Sequence, residues 1–334
     1  MRNAVRRIVV SLVLTVLAPQ VGHAQSLELV ARWTSSSVGG STLAVVDGRG
    51  RVFITGASTG WSSVAVHDLD TGELLGTVGR KGRGPGEFIN IRGIATRGDS
   101  LAVLDGATLR ITVFDPDLRV TETIRVPMRI AGRLAWGPDG FIVGGWGPIR
   151  ARGTPANLWR ITRDHQRHEL QGVGVDSVGH GTFIFVTQGD SILALRESSL
   201  GAWTVHPGPR VAELIDEPSY SPQVQRDLPD FIVTLDGARG GAWIEGRRLL
   251  SIHTRFLEEH EFPACETCPP PKSTPRMRSL LRVTDLQSGA IESETQLELI
   301  IDGVLEPGVV WSGALNGTSP MMSIWRLSVP GSSP

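Results

Sequence analysis

The sequence is poor in several features that mark common classes of protein. Its 334 residues include two cysteines and carry a formal net charge of −1. No excess of charge therefore points to nucleic acid or a membrane surface. The motif G-x-S-x-G occurs at Gly56–Gly60, but no predicted helix follows it, as a nucleophile elbow requires, so no serine-hydrolase triad can be argued. No predicted helix follows the glycine-rich run Gly79–Gly86, which excludes a nucleotide-binding loop. No catalytic residue is predicted from these patterns.

A long apolar segment is also missing at the amino terminus. The run Ile8–Ala18 is shorter than the roughly 20 residues that span a bilayer. Three arginines precede it and small residues follow it up to Ala24. This order predicts a signal peptide over residues 1–24, and the alternative is an uncleaved anchor. We expect a mature protein that is secreted or periplasmic, with no transmembrane segment.

The rest of the chain consists of short apolar strands separated by tight turns. A strand–turn–strand unit recurs about every 40 to 50 residues, which is typical of propeller blades. Asp-Gly, Pro-Asp-Gly and Arg-Gly-Asp supply the turns because Gly and Asp tolerate positive φ. Six second strands can be aligned: GRVFITG, DSLAVLD, DGFIVGG, DSILALR, GGAWIEG and GVVWSGA.

These repeats predict an all-β fold, a six-bladed β-propeller with four-stranded antiparallel blades over residues 25–330. The sixth repeat has no fourth strand, and one strand, LELVARWT at Leu27–Thr34, is left over at the start. We expect this N-terminal strand to close the ring as the outer strand of blade six, because pairing removes an exposed edge.

One stretch supports a family resemblance. The run GRKGRGPGEFINIRGIA, followed by VFDPDL at Val113, resembles the NHL-type repeat of six-bladed β-propellers. The resemblance is close across roughly residues 76–118 and implies the same fold. The chain looks like secreted bacterial propellers of this type.

Long connections are predicted on one face of the ring only. They join second to third strands, or one blade to the next, whereas the opposite face has tight turns. Because long loops on a rigid scaffold often carry binding sites, we expect this face to bind a partner; the alternative is that the loops cap the channel. The predicted loops are Arg80–Asn90, Gly147–Asn157, Asp216–Pro229 and a blade-five insertion over about 247–278.

Polar residues are predicted where each inner strand begins, at the mouth of the central channel. Propeller lactonases and lyases bind a catalytic metal there through Asn, Asp, Glu or His, so Ca²⁺ or Zn²⁺ is the alternative to no cofactor. A water-lined polar channel explains the same residue types, and the chain has only four asparagines. The candidate ligand-binding residues are Asn90, Arg92, Arg133, His180, Asp230 and Asp302.

The two cysteines, Cys265 and Cys268, form C-E-T-C followed by three prolines. In an exported protein a small structural disulfide is the first interpretation. A thioredoxin-like site is disfavoured because the prolines prevent a continuing helix. Zinc binding together with His253 and His260 stays the alternative.

Basic residues recur in the long loops. Arginine suits carboxylate or phosphate through its planar fork, so the rim predicts an anionic glycan or an acidic protein surface. The leading hypothesis is a monomeric, exported, non-catalytic binding or scaffold module. The alternative is a metal-dependent lactonase, lyase or hydrolase at the channel mouth. The candidate basic rim comprises Arg80, Lys81, Arg83, Arg150 and Arg152.

Overall fold

A computed structural model gives the architecture of most of the chain. Several predicted features lie outside the residues it describes: the signal segment 1–24, the cysteine pair, and most of the connections between blades three and six. The described residues are 26–37, 42–126, 129–146, 156–170, 183–188, 191–196, 202–205, 211–215, 227–228, 231–232, 236–256, 277–316 and 319–329.

The first strand stands apart, and two complete blades follow it. The strand is β1 (Ser26–Thr34). Blade one contains β2 (Thr42–Val46), β3 (Arg51–Gly56), β4 (Val64–Asp68) and β5 (Leu74–Val78), with a 3-10 turn at Ala57–Thr59. A short parallel ladder of β6 (Arg80–Lys81) and β7 (Glu87–Phe88) leads onward. Blade two contains β8 (Ile91–Arg97), β9 (Ser100–Asp105), β10 (Arg110–Phe114) and β11 (Val120–Arg125).

Blades three and four repeat the same meander. Blade three contains β12 (Arg129–Gly137), β13 (Gly140–Trp146), β14 (Ala156–Thr162) and β15 (Arg167–Leu170). Blade four contains β16 (Phe183–Gln188), β17 (Ser191–Arg196), β18 (Ala202–Val205) and β19 (Val211–Ile215). A small hairpin of β20 (Asp227–Leu228) and β21 (Phe231–Ile232) follows.

The last two blades complete the ring. Blade five contains β22 (Asp236–Glu245), β23 (Arg248–Phe256), β24 (Met277–Asp285) and β25 (Ile291–Gln296). Blade six contains β26 (Gly303–Glu306), β27 (Val309–Asn316) and β28 (Ser319–Ser328), and β1 is its fourth strand.

The six sheets form a closed ring around a central axis. The first strand of each blade is innermost, and each inner strand contacts the next in the order β2, β8, β12, β16, β22, β26 and back to β2. All strand pairs within the blades are antiparallel. The all-β, six-bladed fold predicted from the repeats is therefore confirmed.

The N-terminal strand closes the ring as predicted. β1 pairs with β28 from Ser26↔Ser328 to Thr34↔Met321, with a register shift between Leu29 and Ala31. Trp33 is buried and stacks on His67 of blade one, with ring centroids 4.7 Å apart. The closing strand therefore joins blade six by backbone pairing and blade one by aromatic packing.

His67 fixes this contact through both ring nitrogens. Nδ1 lies 3.1 Å from the carbonyl oxygen of Gly72, which can only accept, so Nδ1 donates. Nε2 lies 3.2 Å from the hydroxyl of Ser35, which follows β1. Gly72 has φ +71, and a Cβ there would lie 2.1 Å from Trp33 Cγ. The turn needs glycine for both its backbone and its space.

The core lies between neighbouring blades, because each sheet buries apolar side chains on both faces. Clusters fill the interfaces of blades one and two, two and three, four and five, five and six, and six and one. Full burial of a Val, Leu, Ile or Phe side chain contributes about 1.5–3 kcal/mol. Polar links add to these contacts: Thr96 Oγ1 donates to Val46 O at 2.6 Å and Arg97 Nη1 to Gly137 O at 2.6 Å.

Blade five differs from the sequence-based alignment. GGAWIEG is the end of the inner strand β22, and the second strand β23 lies inside the predicted 247–278 insertion. Gly240 and Gly241 mark a register shift instead of a turn, since a Cβ on Gly240 would lie 2.5 Å from Ile252 Cγ2. The true turn is Gly246–Arg247, and the insertion shortens to residues 257–276, which lie outside the described part.

The described residues contain no helix that is both long and apolar enough to cross a membrane.

Candidate functional site

The two faces of the ring differ in the length of their connections. On one face, the turn face, first strands lead to second strands and third strands to fourth strands through two to five residues. The opposite face, the long-loop face, carries the other connections. Five of these span residues 79–90, 147–155, 171–182, 216–235 and 257–276.

The loop over residues 79–90 is held in place by its own glutamate. Glu87 Oε2 accepts from the N–H of Gly84 at 2.7 Å, and Oε1 accepts from Arg80 Nε at 2.9 Å. The Gly84 N–H and then Arg80 hold the pKa of Glu87 below its usual range. Gly82 leaves room for this carboxylate, since a Cβ there would lie 2.2 Å from Oε2.

Blade two holds the same loop from beneath. Arg110 Nη2 donates to the carbonyl oxygens of Gly84 at 2.8 Å and Glu87 at 3.1 Å. Phe88 is fully buried and packs against Phe114, with ring centroids 6.3 Å apart. The G-x-G-P-G-E-F segment is therefore an ordered platform on the long-loop face.

Asp105, at the end of β9, joins this platform to the β9–β10 turn. Its Oδ1 accepts from the N–H groups of Asn90, Ala107 and Thr108, and its Oδ2 accepts from Ile89 N–H and Thr108 Oγ1. Asp105 has no solvent-accessible surface. Burial alone would raise its pKa, but the hydrogen bonds outweigh burial and hold the pKa below the ordinary value. The carboxylate is thus a structural anion.

The inner strands enclose a central channel with a cavity of about 470 Å³. All six blades contribute to its wall. Among the lining residues, Arg133 and Glu306 are the ionisable ones. Arg133 begins the lining stretch of β12 on the long-loop side, whereas Glu306 ends β26 next to the turn face.

The predicted channel-mouth residues lie in different surroundings in the structure. Arg133 lines the channel. Arg92 is exposed, and its stem lies over the β9–β10 turn, because a Cβ on Gly106 would be 2.6 Å from Arg92 Cγ. The backbone of Asn90 is bonded to Asp105 and to Gly106 N–H. His180 and Asp230 lie outside the described residues.

Asp302 lies just before β26, on the long-loop face. Its Oδ2 accepts from the N–H of Gly313 at 2.6 Å. The residue is exposed, but neighbouring protein atoms desolvate its carboxyl enough to raise its pKa against the opposing effect of the Gly313 N–H. Asp302 is thus the described mouth carboxylate that most readily holds a proton.

The described residues of the basic rim differ in whether an acidic side chain pairs with them. Arg80 forms an ion pair with Glu87, Nη2 to Oε1, at 2.8 Å. Lys81 and Arg83 are exposed, and no described residue forms a hydrogen bond or ion pair with either side chain. Arg150 and Arg152 lie outside the described residues. Arg247, at the β22–β23 turn, belongs to the opposite face and pairs with Asp285 at 2.6 Å.

In the described ranges, no three or more His, Cys, Asp or Glu side chains are grouped to hold a metal ion. Asp302 is one possible ligand at the mouth, and the predicted partners His180 and Asp230 fall outside those ranges.

Comparison with known proteins supports the fold. Residues 36–139 match the DUF5128 family, described as a 6-bladed beta-propeller. The chain is similar to six-bladed β-propellers. This finding agrees with the resemblance at the level of the fold and does not single out the NHL type. Among curated proteins, none matches the sequence.

Solved structures resemble the whole ring at low sequence identity. A Bacteroides fragilis protein described as exported has a TM-score of 0.57 at 12% identity, covering 91% of this chain and 96% of its own. Virginiamycin B lyase from Staphylococcus aureus has a TM-score of 0.51 at 11% identity, covering 92% and 100%. A DUF4221 family member from Bacteroides vulgatus has a TM-score of 0.52 at 8% identity, covering 92% and 98%. At such identities the likeness shows the fold alone.

Sequence reasoning missed three residues that organise this region. Asp105 and Arg110 hold the loop from below, and Glu306 is the carboxylate of the channel wall. The only sequence signal for Asp105 is an aspartate at a strand end before Gly-Ala-Thr. Many turn aspartates share that signal.

Proposed function

We propose that this chain is an exported, non-catalytic binding or scaffold propeller whose long-loop face binds an envelope protein or glycan. The observation that carries the proposal is the ordered 79–90 platform. Glu87, Arg110 and Asp105 fix its backbone, while Lys81 and Arg83 stay exposed. A pre-ordered loop loses little conformational entropy on binding, which favours recognition.

Charge defines the class of partner. Lys81 and Arg83 have no anionic partner among the described residues, and Arg92 is exposed on the same face. An anionic glycan or an acidic protein surface would complement them, because guanidinium groups bind carboxylate and phosphate through paired hydrogen bonds. Such binding weakens as salt rises.

Export rests on two supports. The amino-terminal pattern predicts a signal peptide over residues 1–24, and a structurally similar Bacteroides fragilis protein is described as exported. We propose a secreted or periplasmic location on this basis, with the disulfide Cys265–Cys268 as an expected consequence of that compartment.

The test is a charge reversal confined to the platform. Lys81→Glu with Arg83→Glu removes the exposed cations and leaves the Arg80–Glu87 pair intact. Pull-down of envelope glycan and protein fractions should fall, and the remaining binding should depend less on salt. The matched control is Arg119→Glu with Arg163→Glu, the same charge change in exposed turn-face positions.

If both double variants retain the same material at the same salt, the long-loop face is not the binding surface. A parallel loss in both variants would indicate a general charge effect and would equally contradict the proposal.

A second candidate is a metal-dependent lactonase, lyase or hydrolase at the channel mouth. The raised pKa of Asp302 at the channel mouth favours an enzyme, because a carboxyl that holds its proton suits acid catalysis. Metal analysis of the purified full-length protein separates the candidates. Stoichiometric Ca²⁺ or Zn²⁺ would support the enzyme.

A further inference from the structure

The channel has opposite charges at its two ends. Arg133 is the ionisable lining residue at the long-loop end, and Glu306 is the one near the turn end. Levels along the axis can be matched between blades: Gly93 lies against Arg133 and Leu134, and Gly241 lies against Val304. Gly93 and Gly241 each begin the lining stretch of their own inner strand, so Glu306 is two to three strand residues further along the axis than Arg133, or roughly 7–10 Å.

These two residues also lie on opposite sides of the ring. Arg133 belongs to blade three and Glu306 to blade six, and two blades lie between them in either direction. A molecule that met both charges would have to run obliquely along the channel. It would need an anionic group at one end and a cationic group at the other.

The wall between the charges consists of strand edges. In each of the six blade sheets the inner strand stands at one end of the strand order, so its channel-side edge pairs with no further strand of that sheet. Such edges present backbone N–H and C=O groups that an extended chain can satisfy. Small and aliphatic residues, such as Leu43, Ile94 and Val304, complete the wall.

We propose that the channel binds a short extended peptide with free termini, its carboxylate at Arg133 and its ammonium group near Glu306. A peptide of two to three residues matches the offset of the two charges along the axis, at about 3.3 Å per residue. The cavity of about 470 Å³ is in the size range of small-molecule sites. This site is separate from the platform on the long-loop face and does not depend on it.

The wall predicts how selective the channel is. Its polar contacts come mainly from backbone groups, so they recognise the peptide main chain and its termini. Its apolar side chains give no specific partner to a large or charged side chain. We therefore infer a preference for small apolar residues and choose trialanine as the probe.

The first experiment changes the ligand and leaves the protein intact. Trialanine, N-acetyl-trialanine and trialanine amide are titrated into the full-length protein by calorimetry. Each blocked terminus removes one charge-assisted interaction, so each blocked peptide should bind at least about tenfold more weakly than trialanine. Absence of binding up to about 10 mM, or equal affinity of the three peptides, would overturn the proposal.

The second experiment assigns each terminus to its residue. In Glu306→Gln, trialanine should bind about as weakly as N-acetyl-trialanine, while the preference over the amide persists. In Arg133→Gln the reverse should hold. The matched controls are Glu298→Gln and Arg163→Gln, exposed residues outside the channel wall, which should keep both preferences.

The two proposals fail in distinguishable ways. The platform variant Lys81→Glu with Arg83→Glu should bind trialanine like the native protein, even if it loses envelope material. Should Glu306→Gln keep the full ammonium preference, the assignment of the peptide amino terminus is wrong.

Discussion

The buried carboxylate of Asp105 offers the sharpest test of the structure. Asp105→Ala removes the acceptor for four groups of the platform and turn at 2.9–3.1 Å, and for a fifth at 3.4 Å. The Ala107 and Thr108 donors lie in a turn that water can reach. The N–H groups of Ile89 and Asn90 are half-buried at the end of the loop, where water has less access.

The magnitude follows from those two donors. A buried donor left without an acceptor costs about 1–3 kcal/mol. We expect Asp105→Ala to lower the free energy of unfolding by about 3–4 kcal/mol, a large part of a typical total of about 5–15 kcal/mol. At roughly 2–3 °C per kcal/mol for a domain of this size, Tm should fall by about 6–12 °C.

The matched control is Asp115→Ala in the same blade. Asp115 accepts from the N–H groups of Asp117 and Arg119, but in an exposed hairpin turn where water replaces it. Urea unfolding followed by tryptophan fluorescence should show a much smaller loss for this variant. Equal losses in the two variants would refute the reasoning that burial makes Asp105 important.

The pH dependence gives a second readout for Asp105. Its folded pKa is depressed, so its contribution to stability is complete above the unfolded pKa of about 3.9 and is lost as pH falls through the folded value. The difference between the native protein and Asp105→Ala should therefore shrink in acid. A difference that stays constant down to the acid transition would contradict the charged-acceptor role.

Three further predictions concern the pairing of β1 with β28, the carboxyl of Asp302 and the platform. Deleting Leu27–Thr34 should lower Tm markedly or cause aggregation, because blade six then exposes an unpaired edge; an unchanged Tm would contradict the closure. Asp302→Asn should raise Tm at neutral pH, since the folded pKa is raised and the charged form is disfavoured. This gain should vanish below the ordinary carboxyl pKa, and a gain that persists in acid would point to another cause. Glu87→Ala should speed hydrogen exchange at Gly84 with little change in Tm; unchanged exchange would show that Glu87 does not order the loop.

Five of the six blades could be predicted because their turns are chemically distinct. Asp-Gly and Pro-Asp-Gly separate first from second strands where both are apolar, so strand order follows directly. The strands of blade five were predicted wrongly because the sequence DGARGG is typical of a turn. In the structure, Gly240 and Gly241 instead allow close packing against Ile252 and Val304. A glycine pair in a strand and a glycine pair in a turn look alike in sequence, and only the neighbouring blade distinguishes them.

The site was less predictable because it depends on contacts between distant residues. Arg80 was predicted as a residue of the basic rim, and its pairing with Glu87, seven residues later, was not predicted. Arg92 was predicted to face the channel, and its stem instead lies over the glycine turn of its own blade. Which way a side chain at an inner-strand start points depends on the bulge between Ile91 and Gly93, which no local pattern reveals.

The seam between β1 and β28 also determines when this protein can become complete. Arg32 of β1 donates a hydrogen bond to Ser323 of β28, 291 positions later. β1 therefore cannot pair until β28 has been synthesised. Ring completion is thus a late event of high contact order, and a chain interrupted before residue 319 leaves β1 without its partner. Pairing can therefore protect β1 from proteases and from other chains only after β28 has been synthesised.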